Sequence, residues 1–447
     1  MGELPIMLIR GNAEAERPAF ATVKRQPAAV GACLLLLLAF STATAFVQDL
    51  WAPLSFQIGL FSLVAICVLL GIRAHAEQFA DGVASWMVYA IPMWGVLQIL
   101  AHTTASMVQT REATLRWGAL AGVFYLTQVA TRTSPARRIA LTFFVGFAAA
   151  MAALCLAQLF TSEGRVLWIF PTGPENAKVA DVYATFTSYN HYVQLAELAL
   201  PIALWRTLRE GWQSWWCVLA GGILLGSVIA SASHVGAVLC IAELAVFLGL
   251  AFLGLTAKVS GEHRGTRDKL LANVPLLAVP LLAAIFLMSV GWERVLERYE
   301  TNSKQVVSTE LIEAALDMAW HRPLTGFGLD TFMQVQHRYA LLDLPDYATH
   351  ANSDWAEFAA DGGVPFLLLI LVPFAAAVPA TLRHPWALGL VAVMLHACVG
   401  WPFPCVAVSG WMFGLLGILF IADKAAQDVA PMILPPVRRT EPAGVPD

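Results

Sequence analysis

Several polar clusters interrupt an otherwise apolar chain, and each holds residue types that can move protons or bind anions. The stretch ATHANSDWAEFAADGGVPF, residues 348–366, brings His350, Asn352, Asp354 and Glu357 together ahead of a Gly-Gly-Val-Pro turn. Histidine has the ordinary pKa best suited to general-base work near neutrality. Asp354 and Glu357 could act as the carboxyl pair of a glycoside hydrolase. They fit a helix start equally well, with Asp354 as cap and Glu357 three residues on closing a capping box. No second sugar-binding signature accompanies them, and no Asp-x-Asp motif is present to hold a metal and a nucleotide sugar. In FTSYNHYVQLAELALP, residues 186–201, Asn190 and His191 open an apolar run, where capping competes with ligand binding. His234, in SASHVGA, lies between two apolar runs joined by almost no loop. An ionisable residue at membrane depth is a functional candidate by default. Arg294 and Arg298 begin the longest polar segment, and an arginine fork binds phosphate oxygens bidentately. Pairing of Glu293 with Arg298, or of Arg294 with Glu297, on one helix face is the structural alternative.

The elements that must carry these residues are membrane helices. Of 447 residues, 58% are hydrophobic and 13% charged, against roughly a quarter charged in soluble domains. Runs of about 20 apolar residues suit a bilayer. They fall near 28–47, 53–72, 82–102, 113–131, 138–160, 186–205, 213–231, 234–255, 270–291, 364–381, 385–401 and 405–422. The expected fold is an all-α polytopic membrane protein of about twelve spans, its first run a retained anchor following Lys24 and Arg25. With residues 1–27 inside, 18 of the 27 basic residues face the cytoplasm, so the positive-inside rule puts both termini there. Nine spans (28–291) then precede a large outer loop, 292–363, and three more spans (364–422) follow it. That loop holds 12 acids and 5 bases, a net −7. Chemistry on that face has no ATP or nucleotide sugar to draw on. The overall charge of −4 offers no face for nucleic acid, and no phosphate-loop or dinucleotide glycine pattern occurs.

Within the loop, Glu310 to Trp320 has helical apolar spacing, with Ser308 as N-cap. His321-Arg322-Pro323 ends that helix, and LTGFGLDTF reads as a turn built on Gly326 and Gly328. The seven cysteines sit in or beside apolar runs as small hydrophobes rather than as disulfides or metal ligands. The tail, 423–447, has the Pro-, Ala- and charge-rich composition of a disordered segment.

The order of these pieces resembles the O-antigen ligase and O-antigen polymerase superfamily, which includes bacterial protein O-oligosaccharyltransferases. The resemblance rests on NHYVQLAELALP, the SxSHxG turn, HRPLTGFGLDTF and THANSDWAEFAADGGVP, and covers roughly 180–425. It implies an inner-membrane glycosyltransferase with its site on the periplasmic face. Such an enzyme passes a glycan from a polyprenyl diphosphate to an acceptor hydroxyl on lipid, polysaccharide or protein, with no metal or cofactor. Asn190, His191, Pro323, Gly326, Gly328, Phe332, Gly363 and Pro365 keep the family pattern. Departures fall on the catalytic positions. The family's His-Asn pair aligns with Asn352-Ser353, and His350 corresponds to an accessory histidine. His234 replaces the arginine of a Ser-Arg-Gly-Gly stretch, and the arginine expected near Ser308 is missing.

The resemblance therefore implies a divergent ligase or polymerase for surface polysaccharide. His350 would be its base, with Asn352 at the family's histidine position, and His234, Arg294, Arg298, Arg322, Asn190 and His191 would meet the diphosphate or substrate. The alternative is a non-catalytic member that binds a lipid-linked glycan or partners a synthase or exporter. An unrelated secondary transporter would show charged residues deep in several spans or paired broken helices, and neither stands out in the sequence.

Overall fold

The computed structural model describes residues 17–47, 49–70, 82–171, 182–253, 266–303, 309–339 and 348–433. In a bilayer every backbone N–H and C=O needs a partner within the protein, so apolar segments resolve into helices. The N-terminal half comprises α1 (Arg17–Ala43), α2 (Trp51–Leu69), α3 (Val83–Leu100), α4 (Met107–Ala130) and α5 (Ser134–Thr161). The middle comprises α6 (Tyr189–Glu210), α7 (Trp215–Ala230), α8 (His234–Phe252), α9 (Thr266–Val290), α10 (Trp292–Ser303), α11 (Thr309–His321) and α12 (Phe332–Val335). The C-terminal part comprises α13 (Asp354–Arg383), α14 (Leu388–His396) and α15 (Val406–Ile433). The strands among the described residues are two two-residue pieces, Arg165–Val166 antiparallel to Phe170–Pro171.

Seven helical stretches among the described residues are long and apolar enough to cross a membrane. One of them, Tyr189–Ala230, runs 42 residues and is broken by a 3-10 turn at Gly211–Ser214, so it holds both α6 and α7. Pro27–Ala43, Val274–Ser289 and Pro385–His396 are shorter apolar helices. The chain is an all-α, multi-pass membrane protein. Helix α15 continues the last apolar run to Ile433, beyond the point where the composition turns polar, and 434–447 lies outside the described residues.

The centre of the molecule is α6, whose residues from Tyr192 to Leu204 are all buried. It packs against α5, α7, α8 and α14. Beside it, α3 and α4 pack on each other, α3 meets α13 and α4 meets α15. Trp117 of α4 anchors an aromatic cluster there, with Phe358, Phe366 and Phe403 at 5.6, 5.6 and 5.8 Å between ring centres. Aromatic pairs of this kind contribute about 0.5–1.5 kcal/mol each beyond area burial.

Outside the apolar helices, α11 forms as its spacing predicts, and Ser308, its expected cap, lies outside the described residues. Leu311, Ala315 and Met318 of α11 share a small core with Phe327, Phe332, Ala356 and Ala360. Between α11 and α12 the chain turns on Gly326 and Gly328, at φ 61° and 111°. The turn docks on the N-terminal part of α13: Phe327 N donates to Ala360 O at 3.1 Å, and Gly328 N donates to Asp361 O at 2.9 Å. Gln98 of α3 joins them, donating through Nε2 to Asp361 O and accepting from Leu329 N through Oε1. Helix α13 breaks at Gly363, φ 71°, where Val364 N donates to Pro323 O at 2.8 Å. The Gly-Gly-Val-Pro segment thus separates a short outer helix from the span.

A side chain at Gly326 would need a left-handed backbone and would fall on the Asp361 carbonyl. Gly326→Ala is expected to cost about 1–3 kcal/mol, seen as a lower Tm in detergent. Gly146→Ala, where nothing lies within 4 Å of the new methyl, should leave Tm unchanged. Equal melting of the two variants would show that the turn does not hold the loop.

Candidate functional site

The N-terminal end of α13 is fixed from two directions. Ser353 is its N-cap and makes no side-chain cap bond. The capping box expected from Asp354 and Glu357 does not form, because both carboxylates turn to other segments. Asp354 N donates to the Ala397 and Gly400 carbonyls at 3.0 and 3.1 Å. Asp354 Oδ2 accepts from Phe403 N at 3.1 Å. The 397–403 turn is thereby clamped to the start of α13. Glu357 reaches back instead: Oε2 accepts from Ala351 N at 2.8 Å and Oε1 accepts from His350 Nδ1 at 3.0 Å.

His350, just ahead of α13, lies against the clamped turn, its ring stacked on Trp401 at 5.8 Å and 23°. His191 comes to the same indole from α6, edge-on at 5.9 Å, with Nε2 donating to the Trp401 carbonyl at 3.2 Å. Two histidines 159 positions apart (350 − 191) therefore share one tryptophan. Behind His350, Arg116 of α4 forms a two-point ion pair with Asp330, at 3.2 and 3.4 Å. Arg116, Asp330, Glu357 and Asp361 line one small recess.

Electrostatics in this part of the loop favour positive charge on His350. Burial alone would pull its pKa down, but the Glu357 carboxylate and its hydrogen bond, with Asp330 behind, hold it above the ordinary value, and Arg116 opposes them weakly. Asp330 moves the other way: burial would raise it, and Arg116 outweighs burial and keeps the carboxyl below its usual range.

The other candidates fall into separate places. Asn352 sits beside His350 at φ 58°, the left-handed region that asparagine tolerates better than most residues. Asn190 Oδ1 accepts from Ser233 Oγ at 3.3 Å, which joins the heads of α6 and α8. His234 is exposed as the first residue of α8, edge-on to Tyr299 of α10 at 4.9 Å, and Ser233 caps that helix by accepting from Gly236 N. Arg298 of α10 donates to the Leu159 carbonyl at 3.1 Å. Arg322 is exposed, donates to the Thr103 carbonyl at 3.2 Å and lies over Phe327 at 4.5 Å. The Arg294 side chain lies outside the described residues. Asn190 and His234 thus stand at the α6–α8 head, while His191 and His350 meet at Trp401.

Sequence reasoning missed Arg116, Asp330, Trp401 and the second carboxylate role of Glu357. A lone arginine inside an apolar run was a visible signal for Arg116. Nothing in the sequence pointed to Trp401, whose role is set by the turn it stands on. Charged residues deep in spans were also overlooked. Glu197, Glu243 and His396 are all buried in apolar helices, His396 Nδ1 donating to Glu197 Oε1 at 2.7 Å.

The His350–Glu357 pair makes a pH-dependent contribution to stability. A histidine pKa raised on folding gives stability that is complete below the unfolded value, about 6.5, and lost as pH rises through the folded value. The Tm difference between the wild type and Glu357→Gln should be largest at acidic pH and shrink as pH rises past neutrality. A difference that is constant, or that grows with pH, would refute the pair.

Residues 197–371 match the family model described as O-antigen ligase. The match runs from the buried face of α6, through the α7–α8 turn and the polar loop, to the membrane half of α13, and so holds His234, Arg298, Arg322, His350 and Asn352. It leaves Arg116, His191, His396 and Trp401 outside. No curated protein matches the chain. The family match, and the ordered motifs it spans, support the O-antigen ligase superfamily over that part of the chain.

Proposed function

We propose that the chain transfers a glycan from a polyprenyl-diphosphate carrier to an acceptor hydroxyl, on the outer face of a bacterial inner membrane, with both termini in the cytoplasm. One observation carries the reading: Glu357 Oε1 accepts from His350 Nδ1 at 3.0 Å. That bond orients the ring and leaves Nε2 as the proton acceptor. The acceptor O–H bond breaks as its proton passes to His350 Nε2. The acceptor oxygen bonds the anomeric carbon, and the bond to the diphosphate oxygen breaks with its electron pair. His234, Arg294, Arg298 and Arg322, with Asn190 and His191 at the head of α6, are the groups assigned to donor binding, and their charge would stabilise the leaving diphosphate. The products serve surface polysaccharide assembly.

The second reading, a family member that binds a lipid-linked glycan without transferring it, draws on two observations. Asn352 stands where the family carries a histidine, and an amide is no base near neutrality. Arg298 and Arg322 also donate to backbone carbonyls.

Purified protein supplied with a polyprenyl-diphosphate glycan and an acceptor separates the two. Transfer should be acceptor-dependent and fall by about 10²–10⁴-fold in His350→Ala. Activity should rise as pH passes through a midpoint above that of free histidine. The midpoint should move toward acid in Glu357→Gln, because the carboxylate that raises the imidazole is gone. Binding without transfer at any pH would establish the second reading. Full activity of His350→Ala would remove His350 as the base.

A further inference from the structure

Below the His350 centre, the chain buries a second set of ionisable groups that the transfer reaction does not use. Glu197 on α6, Glu243 on α8 and His396 at the end of α14 are 0%, 3% and 1% exposed. One Glu197 oxygen is engaged by His396 at 2.7 Å. The other Glu197 oxygen, both oxygens of Glu243 and both ends of the Gln194 amide have no partner among the described residues. Gln194 is itself 0% exposed.

Charge counting defines the problem. Two carboxylates stand with a single imidazole: Glu197 and Glu243 lie in helices apolar enough to cross a membrane, and His396 ends a shorter apolar helix. The elements packed on α8 are α6, α7 and α14. Glu197 of α6 is within electrostatic range of Glu243, His396 of α14 engages Glu197, and α7 contributes Ser227, whose hydroxyl meets Tyr192. Cys240 of α8 is within electrostatic range of both glutamates, with Tyr192 and Tyr299 near it. The arginines of α6 stand at its far end, Arg206 paired with Glu210 and Arg209 over Trp205. One negative charge would be left unmatched in a low-dielectric interior, which is strongly unfavourable.

The packing limits what can match it. Gly236 of α8 is so close that a Cβ there would stand 3.2 Å from Glu197 Oε1. A Cβ at Gly400 would stand 3.1 Å from Gln194 Nε2 and 3.3 Å from the His396 ring. No group of three or more His, Cys, Asp or Glu among the described residues could hold a metal. A proton does fit. There is also a line to the outer site. His191, Gln194 and Glu197 are successive i, i+3 neighbours along α6, and His191 bonds the carbonyl of Trp401, the residue next to Gly400.

We propose that Glu197, Glu243 and His396 form a membrane-embedded proton-binding centre, reached from the His350 side along the His191–Gln194 face of α6. The proton bonds to a Glu243 oxygen and no other bond changes. The Glu197–His396 pair then stands charge-balanced beside a neutral carboxylic acid. The centre is independent of whether the chain transfers glycan, so its test uses no activity.

Infrared spectroscopy of the full chain in nanodiscs, in H2O and D2O, reads the centre directly. The wild type should show a protonated-carboxyl band at neutral pH that shifts on deuteration. The band should be lost in Glu243→Gln, kept in the exposed control Glu313→Gln, and deuterate more slowly in His191→Leu. Because the amide mimics the neutral acid, Glu243→Gln should melt at the wild-type temperature, and wild-type melting should not distinguish sodium from choline. No protonated-carboxyl band in the wild type, which needs no variant to measure, would overturn the proposal, as would a band that survives both Glu243→Gln and Glu197→Gln. Sodium-dependent stability that disappears in Glu243→Gln would also overturn it, by making the site one for a metal cation. Unchanged deuteration in His191→Leu would overturn the route along α6.

Discussion

The carboxylate of Glu357 is the point on which the outer site depends. Its two oxygens hold the Ala351 amide and the His350 ring, so one side chain fixes both the backbone entering α13 and the histidine beside it. Water would satisfy an exposed amide, but Ala351 is buried, and an unpaired buried N–H is costly. The same bonds that let the chain enter the helix therefore orient the imidazole. Structure and candidate chemistry meet in one residue.

Around that point the fold uses backbone carbonyls as its fasteners. Gln98, Trp94 and the Gly326–Gly328 turn bond carbonyls at the end of the outer helix, where Gly363 interrupts the helical ladder. Asp354 ties the same helix to the 397–403 turn. Helices from both ends of the chain thus converge on about ten residues of α13. The O-antigen ligase match ends within that helix at 371, yet Arg116, His191 and Trp401, which lie outside the match, complete the surroundings of His350.

Two polar layers result, and they differ in solvent. The outer layer, with His350 and Asp330, is half-open to water and balances its charges by contact. The inner layer, with Glu197, Glu243 and His396, is closed on all sides by helices, and its charge must be balanced from within. The α6 face bearing His191, Gln194 and Glu197 is common to both, which explains why a helix of high apolar content keeps polar residues at that spacing.

Local composition and periodicity were enough to read an all-α, multi-pass membrane protein, the loop helix over 310–320, the glycine turn at 326–328 and the break before Pro365. Each depends on a short window: apolar length, helical spacing, or a backbone angle that glycine alone adopts easily. The ordered motifs carried the superfamily for the same reason. The partners of each polar residue were beyond such reading. The expected capping box at Asp354 and Glu357 was locally sound, yet both carboxylates bond elsewhere, because a buried N–H of Phe403 and the ring of His350 compete for them. Arg298 and Arg322 have the chemistry of phosphate ligands, and tertiary packing turns them to carbonyls of distant segments. The sequence by itself determined that the chain is an all-α, multi-pass membrane protein and which residues are able to do chemistry. Only the tertiary structure decided which of them meet, since buried hydrogen bonds are shared out among groups that lie far apart along the chain.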